Sequence, residues 1–380
     1  MNWIEMTDEA FRDLLRAFFA ANVPSHLRNH PHRIPRWAES KDWYLTLASK
    51  GWLAPNWPRE HGGMGLDAGK LLIYFSEIER AGIPRLYDMG LYMLGPVLIR
   101  HGTEEQKQTY LPKILSGKHL WAQGYSEPEA GSDLANLRTT ATLKDGEFIV
   151  NGQKLWSTFL DDATHMYILA RTKTGTRKQE GISFIIVDLA SPGITRRLIK
   201  TLAGQDELGE VFFDNVRVPY ENLVGPLHNG WGLAKDLLEF ERLNNGSPKL
   251  PLSALNLLTA YGVSNGVLQD PWISSRFTQL RMDLEDQITA YRYFGERLKS
   301  GKGVGPEVSI LKVWSTETFQ RIADLFLELT GEEGIEAYWS DDDPTGALRM
   351  FFNSRPATIY AGCNEVQRDI LAKRVLQLPG

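Results

Sequence analysis

The chain has 380 residues, a formal net charge of −5, 42% hydrophobic and 23% charged residues. That length is too great for one ordinary core and predicts two or three packed units of soluble, globular composition. An acidic balance with dispersed cations gives no electrostatic basis for binding nucleic acid or a membrane surface, and the single cysteine, Cys363, excludes an internal disulfide framework and fits a reducing, cytoplasmic setting.

The opening stretch "MNWIEMTDEAFRDLLRAFFAANVP" has no basic segment leading into an apolar one, so no signal peptide is expected. No apolar run approaches the roughly 20 residues needed to span a bilayer. Residues 1–120 read as helical. "DEAFRDLLRAFF" sets Phe11, Leu14, Leu15, Phe18 and Phe19 at helical spacing, and "SKDWYLTLASKGW", "DAGKLLIYFSEIERAG" and "TEEQKQTYLPKILSG" repeat the pattern with glycine stops. "APNWPREHGGMGL" between them is a Pro/Gly loop. His30 and His32, two apart in a Pro-rich loop, read as solvated side chains, and no metal site is expected.

The texture changes near Trp121. "TTATLKDGEFIVNGQKLWST" carries Asp-Gly and Asn-Gly turn signals between β-rich runs, and strand-and-turn patterning continues to about residue 224. Helical periodicity returns at "GWGLAKDLLEFERL" and runs to the end. The predicted fold is α+β, mainly α: a helical domain at 1–120, a β domain at 121–226 and a helical domain at 227–380.

GxxxxGKS/T, GxGxxG and HExxH are all absent. Two stretches carry more. In "WAQGYSEPEAGSDLANLRT" (121–139), Gly124, Gly131, Ser126 and Ser132 make a turn-rich segment whose backbone can approach a flat or anionic ligand. In "VNGQKLWSTF" (150–159), Trp156 stands beside Ser157 and Thr158, an aromatic surface next to small hydroxyls that suits a planar cofactor. Either motif alone is equally readable as a β-turn and a core tryptophan.

Taken in order, these segments resemble the acyl-CoA dehydrogenase family of flavoproteins. "YSEPEAGSDLANLRT" resembles the family's TEPGAGSD signature and "NGQKLWST" its NGxKxWIT flavin strand. "EVFFDNVRVPYENLVG" is similar to the end of its β domain, and "IYAGCNEVQRDILAKRVL" to its C-terminal signature. The resemblance implies a helical N-domain, a small β-barrel and a four-helix C-domain. FAD is then expected against Gln123, Ser126, Gly131, Trp156, Ser157, Thr158, Cys363 and Glu365. The implied reaction is α,β-desaturation of an acyl-CoA thioester, in which a carboxylate removes the C2 proton while hydride leaves C3 for the flavin. An electron-transferring flavoprotein is the implied acceptor.

In many members that carboxylate occupies the position of Ala361, which cannot take a proton. A second solution in the family is a glutamate directly before an arginine on the first long helix of the C-domain. Here "KDLLEFERLNNG" puts Glu241 before Arg242, so Glu241 is the expected base. Glu239 is the competing carboxylate in the substrate region, about 200° away around the helix, so the two cannot face one pocket. The resemblance also implies that the Ala361 backbone N–H stabilises the developing enolate, a task open to any residue but proline. It further implies that Gly362 lets the loop approach closely, that Arg242 borders the acyl group and that Ser132 contacts CoA.

Departures from the family pattern bear on assembly. Residues 250–275 contain no Lys or Arg where members often place an arginine for a neighbour's FAD diphosphate. "ELTGEEG" puts Glu328 and two further acids where a glutamine is common, and such carboxylates would repel a diphosphate. Gly246, Pro248 and Pro251 predict a kinked or interrupted helix, which could open the pocket for a branched or ring-bearing acyl group. The isoalloxazine half of the site thus reads as intact and the diphosphate half as degraded. This favours an α2β2 heterotetramer with a paralogous subunit, as in branches acting on steroid side-chain and dicarboxylyl thioesters, over a homo-oligomer. Competing readings are a non-catalytic scaffold subunit and a flavin oxidase or monooxygenase of the same fold.

Overall fold

Helical spacing in the first third of the chain becomes helix in the computed structural model, which describes residues 3–28, 35–87, 89–175, 177–235, 246–300, 302–337 and 346–379. His30 and His32 lie outside the described residues. The helix Asp8–Asn22 starts where the Thr7 side chain accepts from the Ala10 N–H at 3.2 Å, with Asp8 and Glu9 in its first turn. Phe11, Leu15 and Phe19 at i, i+4, i+8 are sealed in the core, while Leu14 and Phe18 pack at its margin. The helices Trp37–Ser49, Ala68–Arg80 and Glu104–Leu115 follow. The Pro/Gly loop contributes to the same core: Trp57 is 1% exposed, its indole N–H donates to Leu91 O at 2.7 Å, and a Cβ on Gly95 would fall 2.0 Å from its ring.

From Trp121 the chain turns to sheet. The strands are β1 (Trp121–Gly124), β2 (Thr140–Lys144), β3 (Glu147–Thr158), β4 (His165–Arg171), β5 (Ile182–Asp188), β6 (Ile194–Ile199), β7 (Leu208–Pro219) and β8 (Leu223–Val224). They form one eight-stranded sheet in the order β6-β7-β3-β2-β4-β5-β8, with β1 beside β4. Its two halves meet at the single pair Thr140↔Arg171 and enclose one apolar core that includes Phe148, Val150, Ile168, Ile185, Val211 and Val216. The Asp145-Gly146 turn is found as expected, with φ of 50° and 82° joining β2 to β3. The Asn151-Gly152 signal is not a turn: it lies inside β3, at a register shift against β7. Gly152 is required there because a Cβ would strike Thr139 Oγ1 at 2.6 Å and Thr139 Cα at 2.7 Å.

The chain divides into two compact units, Met1–Glu239 and Phe240–Gly380. The second is helical over Lys249–Ser264, Pro271–Lys299, Ser309–Ala337, Ala347–Ser354 and Asn364–Ile370. Asp270 caps the second of these by accepting from the Trp272 and Ile273 N–H groups at 2.9 and 3.1 Å, and Gly331 breaks the third. Leu258, Leu284, Phe319, Ile322, Phe326 and Met350 form its core. Gly246–Pro248 are not helical, in keeping with the expected interruption, and helix resumes at Lys249. Pro251 breaks nothing: it lies in the first turn of that helix, where a missing N–H costs no bond. No described helix is long and apolar enough to cross a membrane.

Candidate functional site

The first unit builds its candidate site where the loop after β1 leans on β3. Gln123 pairs in register with Tyr167 and Gly124 with Ile168 of β4. The turn that follows closes by reciprocal bonds between Glu127 and Ala130, at 3.1 and 3.0 Å. Beneath it the Glu127 carboxylate accepts from the Arg138 N–H at 2.6 Å, the Thr139 N–H at 3.0 Å and Lys154 Nζ at 2.7 Å. Lys154 also donates to Tyr125 O at 3.2 Å. Burial alone would raise the Glu127 pKa, but Lys154 and the N–H donors outweigh it and hold the carboxyl below its ordinary range, so the pair is charged at neutral pH.

Neither residue stands out in the sequence. The signal was in the alternation of β3: Phe148 and Val150 point inward, and Lys154 shares their parity. A lysine at an inward position requires a buried acid.

Beyond Lys154 the ladder slips. Lys154 pairs with Val211, but the next pair is Ser157 with Gly209, which leaves Leu155 and Trp156 opposite Glu210 alone. Leu155 N–H turns instead to Ser126 O at 2.9 Å. In this bulge Trp156 takes φ 62° and stands 55% exposed, which excludes the core-tryptophan reading. Ser157 is fully buried, yet its hydroxyl has no hydrogen-bond partner among the described residues, and neither has the Gln123 amide nitrogen. Thr158 is half-buried. Buried polar atoms are seldom left orphaned, so a uncommitted donor set beside an exposed indole fits a flat heteroaromatic group with polar edges.

The two signature glycines differ. Gly124 is demanded by packing, since a Cβ would meet Ile168 Cγ2 at 2.7 Å and Met166 Sδ at 2.8 Å, whereas nothing lies within 4 Å of a Cβ on Gly131. Gly131 and Ser132 are exposed.

In the second unit, Ala361 and Gly362 are consecutive left-handed residues, φ 54° and 81°, ahead of the helix Asn364–Ile370. Both are exposed, and the Ala361 N–H makes no hydrogen bond among the described residues. A Cβ on Gly362 would fall 2.6 Å from Gln367 Nε2, which donates to Gly362 O at 3.4 Å. Glu365 is held below the ordinary carboxylate range by its own backbone N–H and by Cys363. Glu239, Glu241 and Arg242 lie outside the described residues.

The expected repulsion at Glu328 is corrected. Arg276, one residue beyond the cation-free stretch, clamps its carboxylate through two bonds of 2.7 and 2.8 Å and holds it below its ordinary range. The guanidinium also covers the Trp272 ring at 4.5 Å. Glu333, one of the two other acids, accepts from Tyr261 Oη at 3.2 Å.

The family models for the acyl-CoA dehydrogenase N-terminal, middle and C-terminal domains match residues 5–118, 122–216 and 228–376. The chain belongs to the acyl-CoA dehydrogenase family. Acyl-CoA dehydrogenase IpdE1 of Mycobacterium tuberculosis is 33% identical over 98% of both chains, and acyl-CoA dehydrogenase FadE26 of the same organism is 32% identical over 98% of this chain and 97% of that one. Among solved structures, the Tcur3481-Tcur3483 steroid ACAD is 29% identical with a TM-score of 0.87, over 98% and 97% of the two chains. The ChsE4-ChsE5 complex from M. tuberculosis is 30% identical with a TM-score of 0.83, over 99% of each. Acyl-CoA dehydrogenases are flavoprotein oxidoreductases, and this chain is a family enzyme with the family's mainly helical fold around a central sheet.

Proposed function

We propose that this enzyme desaturates an acyl-CoA thioester between C2 and C3, with Glu241 as the base and FAD as the bound cofactor. The observation that carries the reading is the Ala361 N–H, a backbone donor with no acceptor among the described residues, on a left-handed turn that bears no side-chain acid. A carboxylate at 361 would have served as both base and donor. With alanine there, only the donor function remains, and the Glu241–Arg242 pair in the sequence supplies the acid. The Ala361 N–H lowers the cost of charge on the thioester oxygen, which acidifies the C2 proton, and Glu241 takes that proton. FAD would supply the hydride acceptor for C3. Gln123, Ser126, Ser157, Thr158 and Trp156, with Gly131, would hold its ring; Cys363 and Glu365 would contact it from the C-terminal loop. Ser132, Glu239, Arg242 and Gly362 would border the substrate.

A branched or ring-bearing acyl group is supported by the helix break at Gly246–Pro248 and by the steroid ACAD among the similar structures. A heterotetramer with a paralogous subunit is supported by the commitment of Arg276 to Glu328 and Trp272, which leaves it engaged, and by relatives named as two-chain complexes. An electron-transferring flavoprotein would then reoxidise the cofactor. The test is Glu241→Gln in the flavin-loaded enzyme, assayed with straight-chain, dicarboxylyl and steroidal thioesters, alone and with a paralogous subunit. Turnover should fall by at least about a thousandfold with flavin content unchanged. Activity within twofold of wild type removes Glu241 as the base.

A further inference from the structure

Lys312 is a buried cation that the reaction as derived does not use. It lies on the helix Ser309–Ala337, is 2% exposed, and among the described residues its Nζ has one hydrogen-bond acceptor, Asn364 Oδ1 at 3.0 Å. Asn364 is itself 1% exposed and follows the Ala361–Gly362–Cys363 turn directly. Its other contacts come from the same helix: Thr316 Oγ1 donates to Oδ1 at 3.2 Å, and Nδ2 donates to Thr316 Oγ1 at 3.1 Å and Glu317 Oε1 at 3.2 Å. Glu317 also takes Arg368 at 2.5 Å.

Two physical facts give this cluster a purpose. Ala361 holds a left-handed φ, which costs a non-glycine residue of the order of 1 kcal/mol and persists only where the surroundings over-determine it. A buried ammonium costs several kcal/mol to desolvate, so methionine or leucine would serve packing better. Burial draws Lys312 down to about 8, opposed by Cys363, Glu365 and Glu317, so it remains charged at neutral pH. The chain therefore retains a costly group whose one side-chain hydrogen bond among the described residues secures the residue that anchors the turn.

We propose that Lys312 is a positioning residue for the reaction: through Asn364 it fixes the Ala361–Gly362 turn, so that the Ala361 N–H is held where the thioester oxygen gains negative charge. This rests on the reading of Ala361 as the oxyanion donor. A backbone N–H cannot be steered by a rotamer. Its aim is set by φ and ψ alone, and those are set by what clamps the turn.

The test uses the flavin-loaded full chain, with any paralogous subunit needed for activity. Lys312→Met is assayed well below its own melting temperature for kcat and KM, and for the long-wavelength band formed with a 3-thiaacyl-CoA, which reports polarisation of the thioester without turnover. The expected result is a kcat loss of at least about tenfold, KM within about threefold, flavin content retained and the band lost, with Lys312→Gln recovering part of both. Should Lys312→Met not fold, Asn364→Leu severs the same link and carries the same expectation. With both variants in hand, the double variant should be no worse than the worse single one, as for one coupled unit. An unchanged kcat and band in Lys312→Met or Asn364→Leu overturns the proposal alone. Wild-type turnover with no band overturns the Ala361 reading and this proposal with it, while Glu241 as base stands or falls by its own variant.

Discussion

Lys154 Nζ lies 2.7 Å from Glu127 Oε1, with the two side chains 0% and 6% exposed. This pair ties the loop after β1 to the strand that carries Trp156, Ser157 and Thr158. Removing the lysine as Lys154→Met would strand a carboxylate in the core, at a cost of about 3–5 kcal/mol. Adding Glu127→Gln should restore part of that loss by removing the orphaned charge. Chemical denaturation of the two variants checks both statements. A Lys154→Met protein within about 1 kcal/mol of wild type would show that the pair carries no structural weight.

Trp156 makes the opposite prediction. Its ring is 55% exposed and its backbone is held at φ 62° by the bulge, so the indole contributes little to the core. Trp156→Ala should change stability by less than about 1 kcal/mol while flavin is lost on gel filtration. The ratio of flavin to protein absorbance reads the second effect and a thermal melt the first. A large drop in melting temperature with flavin fully retained would make the ring a structural element.

These two residues also show what the sequence could and could not convey. Trp156 was legible as a site residue because the residues that follow it, Ser157 and Thr158, are small hydroxyls. The device that exposes it, a bulge in which Leu155 N–H leaves the ladder for Ser126 O, depends on two segments meeting across roughly thirty residues, and local spacing carries no such information. Asn151-Gly152 misled for the same reason. The dipeptide favours a turn, but the close approach of Thr139 demanded a glycine within a strand instead. Lys312 was invisible on an amphipathic helix, where a lysine reads as solvated until its burial against Asn364 is seen. Glu328 read as an uncompensated acid because Arg276, its partner, is fifty-two positions away.

His119 and His165 stack with centroids 3.7 Å apart and planes 19° from parallel, with the Tyr110 and Trp121 rings close to His119 and within the field of Lys113 and Asp188. Burial, then the neighbouring His165 and Lys113, lower the His119 pKa from 6.5 to about 4, against a smaller opposite pull from Asp188. Between those values the unfolded chain binds more protons than the folded one, so stability rises with pH there and is lost as pH falls. The unfolding free energy should therefore drop by about 1–2 kcal/mol between pH 6.5 and 4, after allowing for the partial exposure of the ring. His119→Phe, which keeps an aromatic in the stack, should flatten that part of the profile. An equally steep fall in the variant would assign the acid sensitivity to other groups.

The two glycines of the loop after β1 supply a paired test, because one is fixed by packing and the other is not. A Cβ at Gly124 would sit 2.7 Å from Ile168 Cγ2, 2.8 Å from Met166 Sδ and 3.3 Å from Lys154 Cγ, all within the sealed centre of the sheet. Gly124→Ala must then push β1 away from β3 and β4, at a cost of about 1–3 kcal/mol. The strain falls first on Ile168 and Met166 and reaches the Lys154 side chain as a tight contact, so flavin retention should decline with it. Gly131 has no atom within 4 Å of a built Cβ and no positive φ, so Gly131→Ala should leave folding stability within about 0.5 kcal/mol of wild type. If Gly131→Ala nonetheless weakens flavin or acyl-CoA binding, measured by titration of the folded protein, that open space is one a ligand fills. If stability and binding are both unchanged, Gly131 has no part in the site.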